Sequence, residues 1–275
     1  MDILNEFREL QIKQDFAKWS PRTQTLIRLG DLSAQQVFRA YCEYARRGEF
    51  DHIYLFVDPR KICVDVGSNY GQNALKLSAI SKAVLCIEPI KALNFVGNIL
   101  PENCLFKSIA IGRARGKVIL RIPIKDREYN YAMSTMALDN PLVGYDFEEE
   151  LVEVITLDEL IQESFSNDKI GFINIDVEGF EGEVIEGALK TLKNHKPNLQ
   201  IELHGDEGIN SMCNFLKNLG YRGLFFFNNR IFDVSQFDLS VHRAPENESS
   251  RRIQTGMSFD PNLFVCYFFF IPRIE

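Results

Sequence analysis

The chain has 275 residues, 45% of them hydrophobic and 25% charged, with a formal net charge of −7. That composition suits one large globular domain, or a catalytic domain with a small appendage. The acidic balance argues against a non-specific binder of nucleic-acid backbones, which needs a basic surface, and leaves room only for a local basic patch.

Residues 1–60 read as a helical N-terminal extension. Leu4, Phe7, Leu10 and Ile12 recur at roughly helical spacing, and Ser33 is a candidate N-cap for a helix through Val37, Tyr41 and Tyr44 that stops at Gly48. The block holds the only tryptophan, Trp19, followed by Ser20-Pro21. Three roles suit it: a cap on the catalytic domain, a cover for the substrate, or the contact surface of a homodimer.

From residue 61 to 275 short apolar runs alternate with helical segments. The runs 61–66, 83–87, 105–111, 170–175, 198–203 and 221–227 are uninterrupted, as expected where helices cover both faces of a parallel sheet. Helices are predicted over 73–80, 181–194 and 209–219, the last stopped by Gly220. The alternation predicts an α/β fold, a Rossmann-like, doubly wound and mostly parallel sheet. Residues 117–122 and 151–156 read as additional strands around a polar excursion, 125–150. A last strand at 264–271 follows Phe225-Phe226-Phe227 after a long polar insert with no evident helix, so the last two strands are expected to pair as an antiparallel hairpin. The insert, 228–262, is a candidate lid, and 243–256 within it reads as a loop.

The first predicted strand, Ile62-Cys63-Val64-Asp65-Val66, runs into Gly67-Ser68-Asn69-Tyr70-Gly71 and then a helix. Glycines at 67 and 71 permit a sharp turn and close approach to a ligand. The second strand ends in Ile87-Glu88-Pro89, about twenty residues beyond Asp65, where a carboxylate can accept both hydroxyls of a ribose. The glycines fail the G-x-G-x-x-G template of dinucleotide folds, and no Gly-Lys-Ser/Thr follows for a P-loop. S-adenosylmethionine has no phosphate, and a loop with Asp65 near its start to meet an ammonium suits it better. Ser68 and Asn69 complete this loop. The bland alternative is that Asp65 and Asn69 only cap the helix.

The six cysteines form no CxxC pair and mostly sit in apolar runs, as buried free thiols in a reducing compartment do. The N-terminus lacks a basic region followed by an apolar core, and the most apolar stretch, 262–272, is far short of the ~20 residues a bilayer span requires. A cytoplasmic protein is expected, in which the Asn247-Glu248-Ser249 sequon carries no weight.

The fourth core strand ends in Ile175-Asp176-Val177-Glu178-Gly179-Phe180-Glu181, and here the sequence resembles the FkbM-type methyltransferases, a branch of the class I methyltransferases. The resemblance rests on that string, on Val64–Gly71, Ile87-Glu88-Pro89 and Ala110-Ile111-Gly112, and on Thr156-Leu157-Asp158-Glu159-Leu160 and Gln200-Ile201-Glu202-Leu203-His204. It covers residues 60–205 and implies the class I sheet, S-adenosylmethionine as methyl donor, and methylation of a hydroxyl on a sugar, glycan or other small natural product. It also implies that Asp65, Gly67 and Gly71 shape the methionine pocket, that Glu88 takes the ribose, and that Asp176 and Glu178 lie where donor and acceptor meet.

Ligands of parallel α/β sheets lie beyond the strands' C-terminal ends, where Asp176, Glu202 and His204 fall. An alcohol needs a base as its bond to carbon forms. His204 is the first choice, Asp176 the second, with Glu202 in the same catalytic set. Asp176, Glu178, Glu202 and His204 are also ligand types for a divalent ion, but their spacing is no recognised metal signature, so the metal-free reading is preferred. Glu181 is read as favourable charge at a helix N-terminus. His52, His195 and His242 receive no role. The alternatives are a catalytically inactive methyltransferase-like binding protein and an NAD-dependent sugar-modifying enzyme. Against the latter, the residues four after Tyr129 and Tyr131 are Met133 and Thr135, not lysine. RNA methylation is disfavoured by the acidic balance and by the missing Asn/Asp-Pro-Pro-Tyr/Phe string.

Overall fold

The computed structural model describes residues 3–137, 144–243 and 265–273. Helices α1 (Ile3–Lys18), α2 (Pro21–Arg28) and α3 (Leu32–Arg47) open the chain. Helix α3 is capped by Asp31, whose carboxylate accepts the Ala34 N–H at 2.9 Å, and not by Ser33, which already lies in the first turn. Its end at Gly48, in the left-handed conformation with φ 91°, is as expected. The predicted face of α1 is only partly right. Ile12 is buried, but Phe7 and Leu10 stand 47% and 51% exposed, because Arg8 points inward to a 2.6 Å ion pair with Asp51.

Next come β1 (Ile62–Val66), α4 (Gln72–Ser78), β2 (Ala83–Ile87) and β3 (Cys104–Lys107), then β4 (Ala110–Ile111), β5 (Gly116–Lys125), β6 (Glu128–Tyr129) and β7 (Asp146–Ile155). The chain continues through α5 (Leu157–Phe165), β8 (Ile170–Ile175), α6 (Glu181–Glu186), α7 (Leu189–His195), β9 (Asn198–Glu202) and α8 (Asp206–Asn218). It ends in β10 (Tyr221–Phe227), β11 (Arg230–Asp233), α9 (Leu239–His242) and β12 (Tyr267–Pro272). The main sheet has the order β11-β10-β12-β9-β8-β1-β2-β3. Strands β3, β2, β1, β8 and β9 are parallel, and β12 lies antiparallel between β9 and β10. Strands β1 and β8 are buried along their whole length because helices cover both faces. The expected doubly wound sheet with an antiparallel last strand is present.

Four expectations change. The predicted strand 105–111 divides: β3 stays in the main sheet, while β4 joins a second sheet of order β4-β7-β5-β6. The two additional strands are longer than predicted and pair antiparallel from Gly116↔Val154 to Ile124↔Asp146. The predicted helix 181–194 breaks at Gly187-Ala188, where Asp158 accepts the N–H groups of Lys190 and Thr191 at 2.9 and 2.7 Å and so caps a new helix. Strands β10 and β12 do pair antiparallel, but the insert between them is not plain loop. It forms β11 on the outer side of β10 and the short α9, and the rest of it, 244–262, lies outside the described residues.

The N-terminal block packs on one face of the main sheet and shares its hydrophobic core. The Trp19 indole donates to the Leu75 carbonyl at 3.1 Å and meets Tyr41 edge-on, and Phe56 stacks on Phe269 at 4.4 Å. Lys76 of α4 pairs with Asp15 of α1 at 2.8 Å, both buried, and Asp15 also accepts from the Tyr41 hydroxyl at 2.7 Å. All six cysteines are free; Cys104 and Cys213 are only half-buried. No described helix is long and apolar enough to cross a membrane.

Candidate functional site

A cavity of about 1100 Å³ opens at the C-terminal ends of β1, β2, β8 and β9. The loop 67–71 forms part of its floor. Gly67 and Ser68 donate their N–H groups to the Ile87 carbonyl, both at 3.0 Å, which ties the loop to the end of β2. Gly67 has φ 81°, and a Cβ there would lie 1.8 Å from the Asp176 carbonyl oxygen. The crossing that requires glycine is therefore with the chain's own β8 end, and this closeness places Asp176 beside the loop. Gly71, also at positive φ, packs on Val96 and Leu100 instead of facing the cavity.

Glu88 lines the cavity although only 4% exposed. One carboxylate oxygen accepts the Asn69 N–H at 2.8 Å and the other accepts the Ile90 N–H at 2.9 Å. Each oxygen keeps a further lone pair, the arrangement two ribose hydroxyls require. Burial pushes this carboxyl up to about 7 against those two donors. Asp65 lies deeper. It is fully buried, accepts from Asn174 Nδ2 at 2.9 Å, and is also pushed up to about 7 by burial. Asp65 and Ser68 lie beneath the cavity and do not form its wall. Asn69 Oδ1, Gln72 Oε1 and Ser134 Oγ do belong to lining residues and are buried with no hydrogen-bond partner. Buried polar atoms of that kind are normally satisfied, so this wall is built for a polar ligand.

At the other end, Asp176, Glu178, Glu202 and His204 converge, as the sequence indicated. Asp176 follows β8, its N–H bonded to the Val66 carbonyl at 3.0 Å. Glu202 ends β9, with its carboxyl beside Asp176. Burial, with the adjacent Asp176 charge, raises Glu202 well above the usual carboxylate range, and raises Glu178 to about 8. His204 stands at the rim, its side chain 52% exposed, with Nε2 3.7 Å from Glu178 Oε2 and 3.8 Å from Glu202 Oε1. Desolvation and nearby Arg243 lower its pKa, which keeps the imidazole neutral near pH 7 and able to take a proton. Glu178 sits at φ 52°, held there by Thr135, whose hydroxyl donates to the Glu178 carbonyl at 2.6 Å. Glu181 is the first residue of α6 and accepts the Gly179 N–H at 2.9 Å, a local role.

Several lining residues had no sequence signal. Tyr44 reaches the cavity from α3 beside Gln72, and burial raises it well above the usual phenol range. Tyr267 faces Glu202 across the β9–β12 pair. Tyr131, Ser134 and Met136 enter from the segment after β6. The other three histidines are structural: His52 stacks on Phe226, His195 Nδ1 accepts the Ile170 N–H, and His242 packs on Phe225 and Phe227.

A mostly parallel sheet with β12 inserted antiparallel beside β9, and a cavity at the C-terminal ends of the parallel strands, is the arrangement of the class I methyltransferase type. Residues 65–222 match the methyltransferase FkbM domain, and the chain belongs to that family. Among solved structures it is similar to the methyltransferase FkbM from Methylobacillus flagellatus KT, with 14% identity and a TM-score of 0.45. That match covers 94% of this chain and 57% of the other, so the chain spans little more than half the length of that protein. It is also similar to an rRNA methylase from Streptococcus thermophilus, with 11% identity and a TM-score of 0.41 over 82% of this chain and 95% of that one. The plantazolicin methyltransferase BpumL in complex with SAH matches at 11% identity and a TM-score of 0.34, over 98% and 100%. No curated protein matches the chain.

Proposed function

We propose that the chain binds S-adenosylmethionine and transfers its methyl group to a hydroxyl oxygen of a sugar, glycan or other small natural product. The observation that carries the reading is Glu88, a buried carboxylate on the cavity wall with one lone pair free on each oxygen. The orphaned Asn69 Oδ1, Gln72 Oε1 and Ser134 Oγ fit the polar atoms of the same ligand. When bound, the donor supplies an electrophilic methyl group. Glu88 would hold the ribose diol, and Gly67, Asn69 and Gln72 the amino-acid end. Asp65 would act from below, its charge favouring the ammonium through the loop.

The acceptor end supports oxygen as the nucleophile. A hydroxyl must lose its proton as the new bond forms, and His204 and Asp176 are the groups placed to accept it. Holding the acceptor oxygen in line with the methyl supplies much of the remaining acceleration. Helices α1 and α3 also line the cavity, through Tyr44, Arg39 and Arg47 among others, which supports a part for the N-terminal extension in acceptor choice.

Calorimetry on the full chain with S-adenosylmethionine, and separately with NAD, tests the donor. Binding of the first and not the second is expected; a folded chain that binds only NAD, or neither, overturns the reading. His204→Ala is expected to lower turnover on a hydroxylated acceptor while donor affinity stays normal, and wild-type turnover in that variant removes His204 from the mechanism.

A further inference from the structure

We propose that Glu178, Glu202 and His204 form a binding site for a divalent cation at the acceptor end of the cavity. Whether the ion binds is independent of the methyl-transfer reading; what it does there rests on that reading. The three side chains come from the loop after β8, the end of β9 and the turn that follows it, and one ligand atom from each lies within 4.8 Å of the others.

The separations are informative. His204 Nε2 is 3.7 Å from Glu178 Oε2 and 3.8 Å from Glu202 Oε1, too far for hydrogen bonds, which span about 2.7–3.2 Å. Ligand atoms that share one ion at bonds of about 2.0–2.2 Å lie roughly 3.0–3.5 Å apart. The imidazole thus stands off each carboxylate by a few tenths of an ångström more than the gap an ion bridges, and the three ligand atoms, within 4.8 Å of one another, would close around one. Two carboxylates and an imidazole suit manganese, iron or zinc and leave coordination positions for an acceptor oxygen.

The surroundings are those of ligands held in advance. The Thr135 hydroxyl donates to the Glu178 main-chain carbonyl at 2.6 Å and so fixes the backbone from which that carboxylate extends, and the Glu202 carboxyl lies beside Asp176. The exposed edge of His204 gives the ion an entry path. A cation here would hold the acceptor hydroxyl and lower its pKa. His204 would then serve through Nε2 as a ligand, and the hydroxyl proton would pass to Asp176 as the oxygen takes the methyl.

The test is titration of the chelator-treated full chain with Mn²⁺, followed by the electron paramagnetic resonance of free ion. One Mn²⁺ bound per chain is expected, with Glu178→Gln and His204→Gln each weakening it at least tenfold at unchanged melting temperature. A nitrogen modulation in the spin-echo spectrum of the wild-type complex is expected from the imidazole and needs no variant. An undiminished free-ion signal, no nitrogen coupling, or equal binding by folded variants overturns the proposal. Donor calorimetry in chelator on the same sample keeps the two readings apart: lost donor binding with retained Mn²⁺ defeats the methyl-transfer reading alone, and the reverse defeats the metal site alone.

Discussion

On the proposed reading, Glu88 makes donor binding depend on pH in a direction opposite to its effect on stability. Its carboxyl sits at about 7 in the folded chain, against 4.5 ordinarily, because burial outweighs the two backbone donors. The folded state therefore holds this proton more tightly than the unfolded one. The resulting stabilisation is fully present below pH 4.5 and fades as pH rises toward 7, by roughly 3 kcal/mol. A ribose diol needs the ionised form as acceptor, and that form grows from about a tenth at pH 6 to about nine tenths at pH 8. Affinity for S-adenosylmethionine should accordingly rise about tenfold over that interval. Glu88→Gln keeps the shape but loses an acceptor, turning a donor toward the Ile90 N–H or the ligand, which costs about 1.5–3 kcal/mol, or roughly ten- to a hundredfold in affinity. Calorimetry at pH 6, 7 and 8 on both proteins checks this, the variant subtracting the titration of the ligand's own groups. Equal pH dependence in the two, or wild-type affinity in the variant, refutes the reasoning.

Three further predictions follow from the packing around the site. Gly67→Ala should cost more than about 2 kcal/mol in urea denaturation, since its Cβ would meet the Asp176 carbonyl at 1.8 Å. Gly30→Ala, at φ 77° with nothing within 4 Å, should cost only the backbone's about 1–2 kcal/mol, and equal losses would discredit the steric argument. Thr135→Val removes the donor to the Glu178 carbonyl, so turnover should fall at least about tenfold with donor affinity unchanged, and Thr135→Ser should restore it. Lys76→Met leaves the buried Asp15 charge with only the Tyr41 hydroxyl between α1 and α3 and should cost about 3–5 kcal/mol, most of it recovered by adding Asp15→Leu together with Tyr41→Phe, which leaves no hydroxyl unpaired.

The half of the cavity built around Glu88 is legible in the sequence because it is local. The strand, the loop 67–71 and Glu88 lie within one β-α-β unit, and burial on both faces leaves the strands as unbroken apolar runs. What escapes is set by residues distant in the chain. The break at Gly187 depends on Asp158, back in α5 beyond β8 and α6, and a Cβ at Gly187 would lie 2.2 Å from the Gly112 carbonyl oxygen. Whether Asp65 faces ligand or protein depends on its register with Asn174, which no local pattern encodes. The choice of Asp31 over Ser33 is a shift within a single helical turn, the scale at which cap residues compete.

The same distinction divides the cavity by origin. Its floor, Glu88 and the Asp176–His204 cluster all fall within 65–222, the segment that matches the family. Its roof, from Asn5 to Glu49, lies outside that segment and is docked through Trp19, Lys76 and Phe56. The carboxylate–histidine cluster thus lies in the segment that matches the family, and the α1–α3 side of the cavity lies outside that segment. On the proposed reading, Arg39→Ala on α3 is accordingly expected to change which acceptor reacts before it changes how the donor binds, as read by turnover on an acceptor panel against donor calorimetry.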